Sequence, residues 1–233
     1  MSFKRLAARG FVVPTRLQSS LASSYESASG TGSRVRNWNP SAAGPNSAAT
    51  SGLALQRRRS RDAVRNDPWA KTAAARWVSN VIGAGIQPYP QHPDKEVRLA
   101  LKQLWADWTL ESDADGRLDF YGQQVLAAQS LFVDGETLGR FRYRRPEDGL
   151  AVPLQLQLYE GDQLPVEYST SLANGAEIVS GVEFDAIGRR TAYHLWTRHP
   201  GEFGRAAIAQ ELRRVPADQM VHAFKVLRPG QVR

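Results

Sequence analysis

Asp119-Phe-Tyr-Gly-Gln-Gln-Val-Leu-Ala-Ala-Gln-Ser-Leu-Phe-Val-Asp-Gly-Glu-Thr-Leu-Gly-Arg-Phe-Arg-Tyr-Arg144 is where the hydrophobic period of this chain changes. From Asp119 to Val133 the residues Tyr121, Val125, Ala128 and Phe132 recur at spacings of four, three and four, which is one face of a helix. Asp134-Gly135 is a stop signal. Beyond it the period falls to two: Phe141 and Tyr143 alternate with Arg140, Arg142 and Arg144, as on a half-buried strand. Helices before the switch and strands after it predict an α+β fold, with helices packed with a mostly antiparallel, β-rich part.

Moving toward the N-terminus, Val97, Leu101, Leu104 and Trp108 predict a helix from about Asp94. Before that, Ala70, Ala74, Trp77 and Val81 mark a helix whose ends are both written in the chain. Pro68 suits its first position, Asp67 caps the free amides, and Gly83 stops it. Toward the C-terminus, Leu154, Leu156 and Leu158 alternate with Gln155 and Gln157. Gly181 to Gly188, followed by Arg189 to Trp196, reads as a hairpin, and short strands are expected around Leu212 and Val221, split by Pro216.

With 233 residues and 42% hydrophobic side chains, the chain can bury one core of ordinary size or two small ones. No stretch approaches the roughly 18 apolar residues of a membrane span, so no membrane partner is expected. The absence of cysteine excludes disulfides and thiolate metal sites. The net charge of +7 is uneven: residues 1–66 hold 11 Lys/Arg against Glu26 and Asp62, a net of +9, while the other 167 residues hold 19 against 21, a net of −2. Attraction to an anionic partner therefore belongs to the N-terminal part. From Gln18 to Leu55 the chain is mostly Ser, Ala, Gly, Thr, Asn and Pro, too polar to offset the entropy of ordering it. It reads as a flexible arm, or as one that orders against a neighbouring subunit through Trp38; the acid-free start, Met1 to Ser24, also allows a transit peptide. The expected organisation is a basic arm over 1–56, a helical part over 57–133 and a β-rich part over 134–233. Because the caps and alternating strands all lie beyond residue 66, residues 67–233 are expected to fold without the arm.

No stretch carries a complete catalytic or metal signature. Glu111, Asp113, Asp115, Gly116 and Asp119 occupy positions 1, 3, 5, 6 and 9 of an EF-hand loop, but position 12, which must supply a bidentate carboxylate, is Gly122. The simpler reading is an acidic turn ahead of a helix N-terminus. His194 and His199 are five apart with no carboxylate at a ligand-like offset from both, and His222 sits in an apolar strand where a hydrogen-bonded structural histidine is expected. Gly83-Ala84-Gly85 ends a helix instead of opening one, and neither a Walker lysine nor a Gly-x-Ser-x-Gly elbow occurs. No enzyme activity, cofactor or metal is expected. Arginine outnumbers lysine 25 to 5, which favours bidentate contacts to phosphate or carboxylate. Arg57, Arg58, Arg59, Arg61 and Arg65 form the densest cluster and are the candidates for contact with DNA or with another subunit; Arg140, Arg142 and Arg144 form a second.

Five stretches, in order, carry a family likeness. They are Trp38-Asn-Pro40; Arg59-Ser-Arg-Asp62 through Val64-Arg-Asn-Asp-Pro68, with its helix ending Val81-Ile-Gly-Ala-Gly-Ile86; Leu118-Asp-Phe-Tyr-Gly122 through Val133-Asp-Gly-Glu136; Val182 to Trp196; and Arg214 to Phe224 followed by Arg228-Pro-Gly-Gln231. From about Tyr25 to Arg233 the chain thus resembles the lambda-type phage portal proteins. The resemblance implies a dodecameric ring of identical subunits at one capsid vertex, through which double-stranded DNA is packaged and ejected without sequence preference. It implies partners as well: the terminase large subunit, which supplies the ATPase, capsid and scaffold proteins, and head-completion proteins. The location implied is the virion, after assembly in the host cytoplasm. Family members run past the Arg-Pro-Gly-Gln motif, so a truncated or fragmentary chain is expected. The other reading left open is a non-enzymatic nucleic-acid-binding accessory protein acting through its basic arm.

Overall fold

The computed structural model describes residue 38 and residues 40–202 and 211–233. The arm and transit-peptide readings of residues 1–37 lie outside the described residues. The chain divides into two units, 1–43 and 44–233, and the helices and strands below belong to the second. Helices α1 (Pro45–Asn66), α2 (Pro68–Ile82), α3 (Lys95–Glu111) and α4 (Phe120–Asp134) precede strands β1 (Glu136–Tyr143), β2 (Leu154–Tyr159), β3 (Thr170–Ser171), β4 (Glu177–Val179), β5 (Val182–Phe184), β6 (Arg190–Trp196), β7 (Leu212–Pro216) and β8 (Met220–Phe224). The architecture is α+β, with the change from helix to strand at Asp134-Gly135; Gly135 has φ +83°, the left-handed stop that its position requires.

The caps of α2, α3 and α4 follow from sequence. Asp67 accepts from Trp69 N at 2.8 Å, Asp94 from Glu96 N at 2.8 Å, and Asp119 from Gly122 N at 2.6 Å, each satisfying an amide the helix leaves unpaired. The helix α1 does not follow from composition. Residues 45–55, expected in the arm, are helical, and α1 runs across position 56 without a break. Its N-terminus is pinned from far along the chain: Asn46 Nδ2 donates to Gly230 O at 3.0 Å and its Oδ1 accepts from Val232 N at 2.9 Å. Tertiary contact here overrides a polar local composition.

The faces expected to be buried on three helices are only partly so. On α2, Ala74 and Val78 are buried while Val81 is 56% exposed, because the helix meets α4 through this turn, with Trp77 and Phe132 centroids 5.2 Å apart. On α3, Val97, Leu101 and Leu104 remain 37–44% exposed. The helix is anchored by its C-terminal half: Trp105 and Trp108 pack on Phe120, and Trp108 Nε1 donates to Leu154 O at 2.7 Å. The face expected on α4 is also only partly covered, with Ala128 buried and Val125 and Phe132 exposed.

The strands form two antiparallel sheets, ordered β2-β1-β8 and β3-β4-β5-β6-β7. In the first, Arg140 pairs with Gln157 on one side and Met220 on the other. The predicted hairpin is β5–β6, with Val182 opposite Tyr193. The core includes Leu138 of the first sheet, Val182, Tyr193, Leu195 and Val215 of the second, and Met220 and Val232 from the C-terminal part. β7 feeds β8 through Ala217–Gln219, so Pro216 ends one strand as expected.

Candidate functional site

The five candidate arginines all lie on α1, and helical geometry divides them. Arg57 and Arg61 are four residues apart and share the face that also carries Leu53 and Val64, so two cations occupy the inward stripe. Arg57 is buried; its Nη2 donates to Glu136 Oε1 and its Nε to Asp134 O at 3.4 Å. Arg61 holds Asp134 in a bidentate pair, both contacts 2.7 Å, and reaches Asp162 at 2.7 Å and Glu160 at 3.2 Å. Arg58, Arg59 and Arg65 are exposed on other parts of the helix.

Glu136 is the centre of the inner network. Besides Arg57, its Oε1 accepts from Arg233 Nη2, and its Oε2 lies 2.9 Å from His222 Nε2. Arg233 is itself buried, donating to the carbonyls of Leu164, Ser180 and Gly161. Burial opposes ionisation of Glu136, but the His222 hydrogen bond and the charges of Arg233 and Arg57 outweigh it and hold the carboxyl down at about 2. Burial also lowers the pKa of His222, against the pull of Glu136. Arg190 Nη1, which can only donate, stands 3.4 Å from His222 Nδ1, so Nδ1 accepts and Nε2 carries the proton that Glu136 receives. Gly161 lets the network close: a Cβ there would stand 2.6 Å from Glu136 Oε1 and 2.8 Å from the Arg57 guanidinium.

His194 and His199 also sit beside carboxylates. His194 Nε2 is 2.9 Å from Glu183, which holds Arg214 at 2.7 and 2.8 Å and accepts from Thr191 at 3.0 Å. The hydrogen bond from Arg214 comes first among the influences that bring Glu183 to about 2. His199, Glu160 and Asp162 place three ligand-type atoms within 4.8 Å of one another. Arg61 already lies on both of those carboxylates, so a cation would have to displace a guanidinium. The EF-hand-like stretch is an organised turn: Asp113 accepts the backbone N–H of Asp115, Arg117 and Leu118 and the amide of Gln123. Burial raises its pKa, but these hydrogen bonds together carry it below the usual carboxylate value. Its acid serves the loop's own backbone.

Glu136, Glu160, Asp162 and Arg233 escaped the sequence reading. The available signal was the inward stripe of α1, where arginines at 57 and 61 stand in line with Leu53 and Val64 and so require buried acids elsewhere.

Compared with known proteins, residues 31–233 match a family model described as phage portal protein, lambda family. A "Probable portal protein" of Halomonas phage phiHAP-1 is 32% identical over 187 residues, covering 76% of this chain and 35% of that protein. The chain thus spans about a third of the length of the curated relative it matches.

Proposed function

The chain belongs to the lambda family of phage portal proteins, and on that premise we propose that it is a structural subunit of a ring at the capsid vertex through which double-stranded DNA is packaged and ejected. The observation that carries this reading is the apolar stripe of α3. Val97, Leu101 and Leu104 recur at helical spacing, yet stay exposed in the single chain, which fits a surface covered by a neighbouring subunit. Exposed Arg58, Arg59 and Arg65 offer contacts to DNA or to that neighbour, whereas Arg57 and Arg61 hold the fold together. The part beyond residue 66 has a net charge of −2, which suits a conduit: each phosphate contact adds to affinity, and a strongly basic wall would retain the duplex. In this role the subunit catalyses nothing; the terminase large subunit supplies the ATPase, and capsid, scaffold and head-completion proteins are the further partners.

The test pairs Leu101→Glu/Leu104→Glu with the unaltered chain in native mass spectrometry. The unaltered chain is expected as a heterogeneous set of multimers, and the variant as a monomer with unchanged circular dichroism. A monodisperse monomer with a sharp unfolding transition for the unaltered chain would count against the proposal. Against the expectation that residues 67–233 fold without the arm, deletion of residues 1–66 would remove Arg57, one of the two guanidinium partners of Glu136, and Arg61, the bidentate partner of Asp134, so it confounds DNA binding with folding. Deleting 1–43 and replacing Arg58, Arg59 and Arg65 by Gln spares the network. Binding of the full chain to random duplex should be weak and steeply salt-dependent, with the slope falling by about 0.9 for each phosphate contact removed. Sequence-selective binding that survives these changes would favour the accessory-protein reading.

A further inference from the structure

The second arginine cluster has no place in the function proposed above. Arg57, Arg61, Arg214 and Arg233 each meet a carboxylate within the fold. Arg140, Arg142 and Arg213 form no ion pair among the described residues, yet the three line one pocket of about 200 Å³ between the β1–β2 and β6–β7 ribbons. Arg140 belongs to the middle strand of its sheet, where desolvation of a guanidinium is costly unless an anion answers it. Its Nε is shut off from solvent and has no hydrogen-bond partner among the described residues, and its Nη2 makes only a 3.4 Å contact to Gln219. Arg142 is held differently: Gln157 Oε1 accepts from its Nη1 at 3.1 Å and from Tyr159 Oη at 2.8 Å. The same Gln157 donates to Asp115 at 3.0 Å, so the acid at this pocket is engaged and three guanidiniums face one carboxylate.

The geometry points to an oxyanion site, and we infer that this pocket takes a phosphate group. Guanidinium forks match phosphate oxygens bidentately. The volume exceeds a bare phosphate, leaving room for the sugar of a phosphate ester beside Trp196, which also lines the pocket. The site is independent of the ring proposal, since it needs only one chain.

The probe is inorganic phosphate, titrated at constant ionic strength into the purified chain while the thermal midpoint and tryptophan fluorescence are read. Tryptophan fluorescence should change saturably, and the midpoint should rise with the logarithm of phosphate concentration, by about 3 °C when phosphate exceeds its dissociation constant about fivefold. Arg140→Gln should abolish the shift. Arg213→Gln, at an exposed position that the fold does not need, should weaken binding at least tenfold, while Arg144→Gln, whose partner is Gln155, should leave it unchanged. Displacement of phosphate by a random 30-base-pair duplex would identify a nucleic-acid backbone as the source of the group; displacement by a mononucleotide alone would identify a free phosphate ester. Absence of a saturable fluorescence change, or an undiminished affinity in folded Arg213→Gln, overturns the inference whatever Arg140→Gln does to folding.

Discussion

Replacing Glu136 by Gln keeps the shape of the side chain and removes the single negative charge that two buried guanidiniums and His222 share. The side chains of Glu136, Arg57 and Arg233 are 3%, 3% and 1% exposed, so water cannot stand in for the lost charge. Breaking a buried pair by removing one partner costs about 3–5 kcal/mol. The lowered pKa of Glu136 points the same way. Glu136 is held at about 2 in the fold against 4.5 as the ordinary value, a gap worth about 3 kcal/mol. Because the folded value is the lower one, this stability is fully present above about pH 5 and disappears as the pH falls from 4.5 toward 2. Chemical unfolding at pH 7 should therefore show the variant destabilised by about 3 kcal/mol, and the difference from the unaltered chain should shrink steadily below pH 4.5. Glu183→Gln is the comparison: its carboxyl is also held at about 2, but chiefly by the half-exposed Arg214, where solvent screens the pair, so its loss should be smaller than that at Glu136. A loss below about 1 kcal/mol for Glu136→Gln, or an acid limb identical to that of the unaltered chain, would refute the view that this carboxylate anchors α1.

Gly161→Ala should lower the thermal midpoint, with overpacking costs of about 1–3 kcal/mol, since the new methyl meets Glu136 and Arg57 well inside contact distance; an unchanged midpoint would mean the network opens freely. Asp67→Ala removes the cap of α2 and should cost about 1 kcal/mol, read in the same unfolding assay, with no change expected at the pH-sensitive network. Elemental analysis of protein purified without added metal should find no stoichiometric zinc or calcium, because Arg61 already occupies Glu160 and Asp162; metal bound there, and lost on His199→Gln, would reverse that reading.

Local signals were legible wherever a single residue type answers a single backbone need. Asp67, Asp94 and Asp119 at helix starts, Gly135 at the switch and the positions of β1 and β2 read directly, but the expected alternation of burial did not hold: Tyr143 is 68% exposed, Arg140 and Arg142 share the face of buried Leu138, and β2 is half-buried throughout. What sequence could not supply was the partner of each face. Val97, Leu101 and Leu104 have the spacing of a buried stripe, and spacing is silent about whether the covering surface lies in the same chain. The polar run before Leu55 conceals a helix because its stability comes from Gly230 and Val232, almost the whole chain away. The arginine cluster was visible as charge, but its division into inward Arg57 and Arg61 and outward Arg58, Arg59 and Arg65 depends on acids 73 to 101 residues distant.

The tie between α1 and residues 230–233 also sets an order in time. Arg57 leaves the ribosome long before Arg233, and at typical synthesis rates the interval is roughly 10–35 s. Once made, Glu136 has one of its two guanidinium partners until Arg233 follows, and Asn46 has neither of its backbone partners until Gly230 and Val232 appear. Helix α1 is thus locked by residues made 184 and 186 positions later, so the newborn chain can fasten this unit only when it has been read through to residue 233. Contacts of such sequence separation slow folding, and here they make closure a check that every strand in between has already been produced.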